Sequence, residues 1–429
     1  MRFEEFSLLL YEHIEVYLLI LVFNSAIAYA FFKNRILSII DPLLLPVIYA
    51  VFANTVPIFL FYNGAISASS FIYFLCSVSI FWFAFSLNKR IIIPSDTSFK
   101  DDLRISKFVF YICFVIWLII KVVTYSLQGI PIFLESRLTL YSESGGLGVL
   151  GRIETIIALF CTLYSFYVLD EKRSGRFIAY LYLFLWAISA VLSGSKSAFL
   201  NLISIAFFYM FFVARRKIKL KKFVKYFVLA IVCAVLVIVI QRGSDLGNAF
   251  LMLVIRFVAS GDIYWEAYPL GLENSIIIEN PMLHVFQGLL GGLRFIDYSD
   301  PAIGTALGFQ VHWTVYPELA DKALGPNARI PILSYVMYGW GGLLFSFIVG
   351  YLVSFVTFKL YSFFPKGLLG TTMYAVCYMN ALSYITDPIL GSSNLFNTIL
   401  GCLLLLFIAL ISNLIIKGFD KNLNCNSCS

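Results

Sequence analysis

The sequence predicts an all-α polytopic membrane protein of about eleven spanning helices with one large outer loop. Composition, the length of the apolar runs and the placement of basic residues between them predict it. Of the 429 residues, 61% are hydrophobic and 13% charged, with a mean hydropathy of +0.90. Soluble domains carry about 25% charged residues, so a water-soluble fold is excluded. The 43 Phe and 26 Tyr suit lipid-facing surfaces and interfacial belts.

A bilayer core about 30 Å thick needs roughly 20 apolar residues of helix. Lipid offers the backbone no hydrogen-bond partner, so each span is helical. The runs that qualify are Val16–Phe32, Leu43–Tyr62, Ser69–Leu87, Phe108–Ser126, Gly151–Leu169, Phe177–Leu192, Ala198–Val213 and Phe223–Ile240, then Ile332–Val356, Leu368–Ile385 and Leu395–Ile416. The expected organisation is eight spans in 1–240, a large periplasmic loop in 241–331, three spans in 332–416 and a cytoplasmic tail in 417–429. The N-terminal Met1, Arg2, Glu4, Glu5 and Glu12 lack a basic leader region, so the first run is expected to stay as a mature helix.

Orientation follows from alternate connections. Lys33 and Arg35, the bases from Lys89 to Lys107, Lys172 to Arg176, Arg215 to Lys225, Lys359 and Lys366, and Lys417 and Lys421 all fall on one face. That bias puts them inside, the N-terminus outside and the C-terminus in the cytoplasm. It also accounts for the net charge of +7 without a nucleic-acid partner. Six of the eight cysteines lie in apolar runs, where thiols behave as small hydrophobes, and Cys425-x-x-Cys428 alone is a weak metal signal.

Two outer connections are long. Leu127–Leu150, with Gly129, Pro131, Arg137 and a glycine cluster, reads as irregular loop. Gln241–Pro331 is too long to be a simple connector; Asn248–Val258 and Pro281–Phe295 within it read as amphipathic helices that lie against the outer leaflet or cap the bundle.

No phosphate-binding glycine loop or H-E-x-x-H zinc site is present, and the three histidines are scattered. Nor is there a filter-like signature for a channel. Chemistry is therefore expected among polar residues on the outer face. Arg152 and Glu154 open the fifth span close enough to pair as an interfacial ion pair. Lys196 sits in a Ser193–Ser197 hairpin, able to snorkel or to meet an anion. In the large loop, Arg242, Arg256, Arg294, Lys322 and Arg329 are outnumbered by acids, which excludes a polybasic lipid patch. Arginines few in number and placed at helix ends fit phosphate docking, since the guanidinium fork binds phosphoryl oxygens bidentately; a salt bridge to a loop acid is the competing role for each. Asp262, Tyr264, Trp265 and Glu266 form one cluster of rings and carboxylates, and His312, Trp313, Tyr316 and Glu318 a second. Such clusters suit sugar binding with a general base for a hydroxyl, and equally suit aromatic anchoring at the interface.

The chain resembles the Wzy-type O-antigen polymerases. The likeness rests on the helix count, the dominant late outer loop, the Leu192-Ser-Gly-Ser-Lys-Ser197 turn, where Lys196 replaces the family's arginine, and the re-entry Pro331–Gly350, whose Tyr338-Gly339-Trp340-Gly341-Gly342 is similar to the family's aromatic-Gly-x-x-Gly entry. Arg137 and Gly148 fit an Arg-x10-Gly pattern of some members. The resemblance implies a glycosyltransferase of GT-C-like architecture in a bacterial inner membrane. Its substrates would be undecaprenyl pyrophosphate-linked oligosaccharides, and it would need no metal or cofactor. Membrane lipids, a chain-length regulator and a flippase would be its partners. Asp262, Glu266 and His312 would then supply the base, and Arg137, Lys196, Arg242, Arg256, Arg329, Tyr264, Trp313 and Tyr338 would hold the substrate. An O-antigen ligase shares this architecture, and a lipid-linked oligosaccharide transporter is the alternative of another class.

Overall fold

The computed structural model describes residues 1–89, 103–131, 147–193, 198–216, 255–293, 295, 305–320 and 324–426, with isolated positions between 232 and 248. The described residues are helical, with no strand among them. In chain order the first helices are α1 (Phe3–Glu12), α2 (Ile14–Phe32), α3 (Leu44–Tyr62), α4 (Ala68–Ser86), α5 (Leu103–Gln128), α6 (Leu147–Asp170), α7 (Arg176–Leu192) and α8 (Ala198–Phe208). The remainder are α9 (Asp262–Ala267), α10 (Leu272–Ser275), α11 (Pro281–Gly292), α12 (Leu307–Val315), α13 (Ile330–Tyr338), α14 (Gly342–Phe358), α15 (Leu368–Thr386) and α16 (Pro388–Asn426).

Among the described residues, seven helical stretches are long and apolar enough to cross a membrane: α2, α3, α4, most of α5 and of α6, the stretch Ile330–Phe358, and the first part of α16. The protein is thus a polytopic helical membrane protein. Two shorter apolar helices, Arg176–Leu192 and Leu200–Val213, coincide with further expected spans, and the expected span 223–240 lies almost wholly outside the described residues. α15 is long enough, at 19 residues, but it is not among the seven. Thr371, Thr372 and the buried Tyr374 and Tyr378 give it a face suited to protein and not to lipid.

The stretch Ile332–Val356, predicted as one straight span, is instead a helical hairpin. Ser334 and Ser346 would stand about 18 Å apart in a continuous helix, yet their hydroxyls meet at 3.5 Å. Gly339 makes the reversal with φ +55 and ψ −136, a region open to glycine and strained for other residues. Past the turn, α14 runs parallel to α4: Ser346 bonds Ser77 at 2.8 Å, a Cβ on Gly350 would strike the Phe81 carbonyl, and Asn88 donates to Ser354 at 2.8 Å. Small residues let the two backbones approach closely, the usual means of helix association in lipid.

The second departure concerns the segment expected outside. Residues 255–275 run beside α3 instead of lying beyond its end. Phe257 stacks on Tyr49 at 5.3 Å, the Ser260 hydroxyl donates to the Tyr49 carbonyl at 3.0 Å, and Gly261 presses on Ala53 and Val56. Tyr49 is only five residues into α3, about 8 Å from its start. The segment ends at Glu273, which accepts from Ser70 at the head of α4 at 2.6 Å. It is broken at 259–261 by a single 3-10 turn before α9 begins. Non-helical backbone at such depth is tolerated where protein buries it.

Candidate functional site

Three breaks in helical structure converge on one guanidinium. Arg329, just ahead of α13, is 3% exposed. It donates to the Ser260 carbonyl from Nε at 3.0 Å and from Nη2 at 2.7 Å, and to the Ile385 carbonyl near the end of α15 at 3.4 Å. These are carbonyls that a helix end leaves unpaired and that carry the negative end of its dipole. Asp387, between α15 and α16, accepts from Ile389 and Leu390 at 2.9 and 3.2 Å and from the Ala328 amide at 3.4 Å. It caps α16 with Pro388 at the first position, where a missing N–H costs nothing. Arg329 was expected to dock phosphate at the outer surface. Here it is a buried tie among three chain segments, because a charge at this depth persists only when paired or hydrogen-bonded.

Asp262 and Glu266 stand four residues apart on α9, hence on one helical face. Glu266 is 5% exposed and meets Nδ1 of His312 at 3.1 Å through Oε2 and 3.2 Å through Oε1. α12 can present His312 there because two glycines cross where it starts: a Cβ on Gly308 would collide with the Pro326 carbonyl, and one on Gly325 with Gly308. With Nδ1 committed to Glu266, the imidazole keeps Nε2 for another partner, the arrangement that fixes a tautomer in base catalysis.

Burial pushes Glu266 up to about 7, opposed by the Met1 amino group. Asp262 also rises to about 7, first through burial and then through the Glu266 charge, with Arg329 opposing. Burial lowers His312, while Asp262 and Glu318 pull it back up. Both carboxyls therefore titrate near neutrality, as a general acid or base requires.

α1 closes over this cluster. Phe6 stacks on Trp265 at 4.2 Å, the Phe3 amide donates to the Tyr316 hydroxyl at 2.6 Å, and Arg2 pairs with Glu318 at 3.2 Å. Sequence reasoning did not assign this segment a part in the site. Its signal was the alternation of acids with Phe3, Phe6 and Leu10 in the first turns.

The remaining expected site residues scatter. Tyr264 is 1% exposed, edge-on to Phe74 at 5.5 Å and stacked with Tyr268 at 5.6 Å, so its faces are closed to a sugar. Trp313 is half-buried and stacks on Phe309 at 5.9 Å. Arg256 is exposed ahead of Phe257, within electrostatic range of Asp262. Tyr338 lines the mouth of an apolar groove instead of the Glu266 cluster. Arg137, Lys196 and Arg242 lie outside the described residues. The expected Arg152–Glu154 pair does not form: Glu154 binds Lys121 at 2.6 Å.

The apolar groove has a volume of about 620 Å³ and is walled by Phe286, Tyr338, Leu344, Ile348, Leu352 and Leu395 among others. The α14 residues that wall it run from Leu344 to Val356, about 18 Å at 1.5 Å per residue, a little over half the hydrocarbon thickness of a bilayer.

These features define a helical membrane protein with an acid–histidine cluster beside its bundle and an apolar groove along α14. No protein-family model matches this chain, and no curated protein or solved structure matches it.

Proposed function

We propose that the protein transfers glycosyl units carried on a polyprenyl pyrophosphate, extending a surface polysaccharide such as O-antigen at the outer face of a bacterial inner membrane. The observation that carries this reading is the Glu266–His312 pair with Asp262 one turn away. His312 Nε2 takes the proton of an acceptor hydroxyl while Glu266 holds the ring and stabilises the imidazolium that forms. The hydroxyl oxygen then attacks the anomeric carbon, the bond to the carrier's pyrophosphate breaks, and the pyrophosphate leaves as an anion. The apolar groove along α14 suits part of the carrier's chain.

The broken segment at 259–261 and the Asp387–Pro388 break favour a second reading, a transporter of lipid-linked oligosaccharide. Transporters build their sites from discontinuous helices at mid-depth. Purified protein in liposomes, supplied with lipid-linked repeat units alone, separates the two. Longer glycans that vanish in His312→Gln support transfer, and movement between leaflets without elongation supports transport. A ligase reading predicts that a deletion strain keeps polymer on its carrier but loses it from lipopolysaccharide.

A further inference from the structure

A second cavity, of about 490 Å³, lies between α6 and the α15/α16 pair, lined by Arg152, Thr155, Asn380 and Asn397 among apolar neighbours. Glu266, His312 and Asp262 take no part in its lining. Its size is within the range of small-molecule sites.

Two of its polar groups are left over. Nη1 of Arg152 is buried without a hydrogen-bond partner, and so is Oδ1 of Asn397. Glu154, two residues on, is held by Lys121 at 2.6 Å and leaves Arg152 unneutralised. The guanidinium is steadied over the Phe396 ring at 4.9 Å, and the Asn397 amide is oriented by donating to Asn394 at 3.0 Å. Buried polar atoms in native proteins are almost always satisfied, so an orphan donor and an orphan acceptor on two residues that line one cavity call for an occupant. The donor sits on a permanent cation suited to phosphoryl oxygens, and the acceptor needs a hydroxyl or amine.

We propose that this cavity binds a phosphate ester carrying free hydroxyls, with Arg152 on the phosphate and Asn397 on a hydroxyl. Arg152 lies at the fourth residue of the span Val149–Asp170, the depth at which lipid headgroups meet a helix end. The headgroup of phosphatidylglycerol and free glycerol phosphate share this chemistry. The site stands apart from glycosyl transfer, so failure of the elongation assay leaves it untouched.

The test titrates the full-length protein in neutral detergent with phosphatidylglycerol, glycerol phosphate and, as control, phosphatidylcholine, read by native mass spectrometry. At least one of the first two is expected to bind, and which one binds identifies the source. Arg152→Gln should weaken it at least tenfold and Asn397→Leu about threefold, while Arg152→Lys retains part of the affinity. Asn397→Leu keeps the cation and so tests the site even if Arg152→Gln fails to fold. Binding of neither ligand, unchanged affinity in Asn397→Leu, or equal retention of phosphatidylcholine would overturn the assignment.

Discussion

Replacing Glu266 by Gln removes a titration without removing the hydrogen-bonding shape. Burial raises this carboxyl from an ordinary 4.5 to about 7, so between those values the folded protein holds a proton that the unfolded chain has released. Stability from this group is fully present below pH 4.5 and is lost as pH rises through 7. Carried to pH 8, the rise amounts to about 3 kcal/mol at most. Asp262, Arg329, His312, Glu318 and the Met1 amino group share its surroundings and remain in both proteins. The difference between variant and wild type therefore isolates Glu266 together with its coupling to them. SDS-driven unfolding in mixed micelles, run from pH 5 to pH 8, should show wild type losing about 2–3 kcal/mol more than Glu266→Gln across that range. A constant difference from pH 5 to pH 8 would refute the claim that Glu266 is a buried acid titrating near neutrality.

Three further outcomes are expected. Arg329→Ala should cost about 2–5 kcal/mol by leaving the buried Ser260 and Ile385 carbonyls without their donor, seen as loss of folded protein on size exclusion and not merely as loss of activity. Ser334→Cys with Ser346→Cys should cross-link under mild oxidation, a result that a straight helix over 332–356 forbids. Gly339→Ala should destabilise by about 1–3 kcal/mol through backbone strain alone, since a Cβ there meets nothing within 4 Å; the same micelle unfolding measures it.

Much of the bundle was legible because lipid imposes one rule on every span, and α2, α3 and α4 begin and end within a few residues of their apolar runs. The hairpin was not legible. Ile332–Val356 is apolar throughout, and the glycines at 339, 341 and 342 read as a helix start while they in fact carry a reversal. Residues 255–275 were placed outside as part of one long connection between apolar runs, but α3, α12 and α13 provide a protein lining that a linear reading cannot see. Asp262, Glu266 and His312 were named together as acid–base candidates, and the structure brings Glu266 and His312 into contact with Asp262 one turn away. Their pairing depends on the crossing of Gly308 with Gly325, which is tertiary. Tyr264 and Trp265 were read as sugar platforms because rings beside carboxylates look the same in a binding cleft and in an aromatic core.

The tie at Arg329 also constrains biogenesis. Its carbonyl acceptors come from residue 260, made before it, and residue 385, made more than fifty residues later. While the ribosome is still adding α14 and α15, the cation has only part of its coordination, and the nine-residue α13 is too short to cross the bilayer unaided. The buried tie at Arg329 is therefore complete only once α15 has packed against segments made earlier.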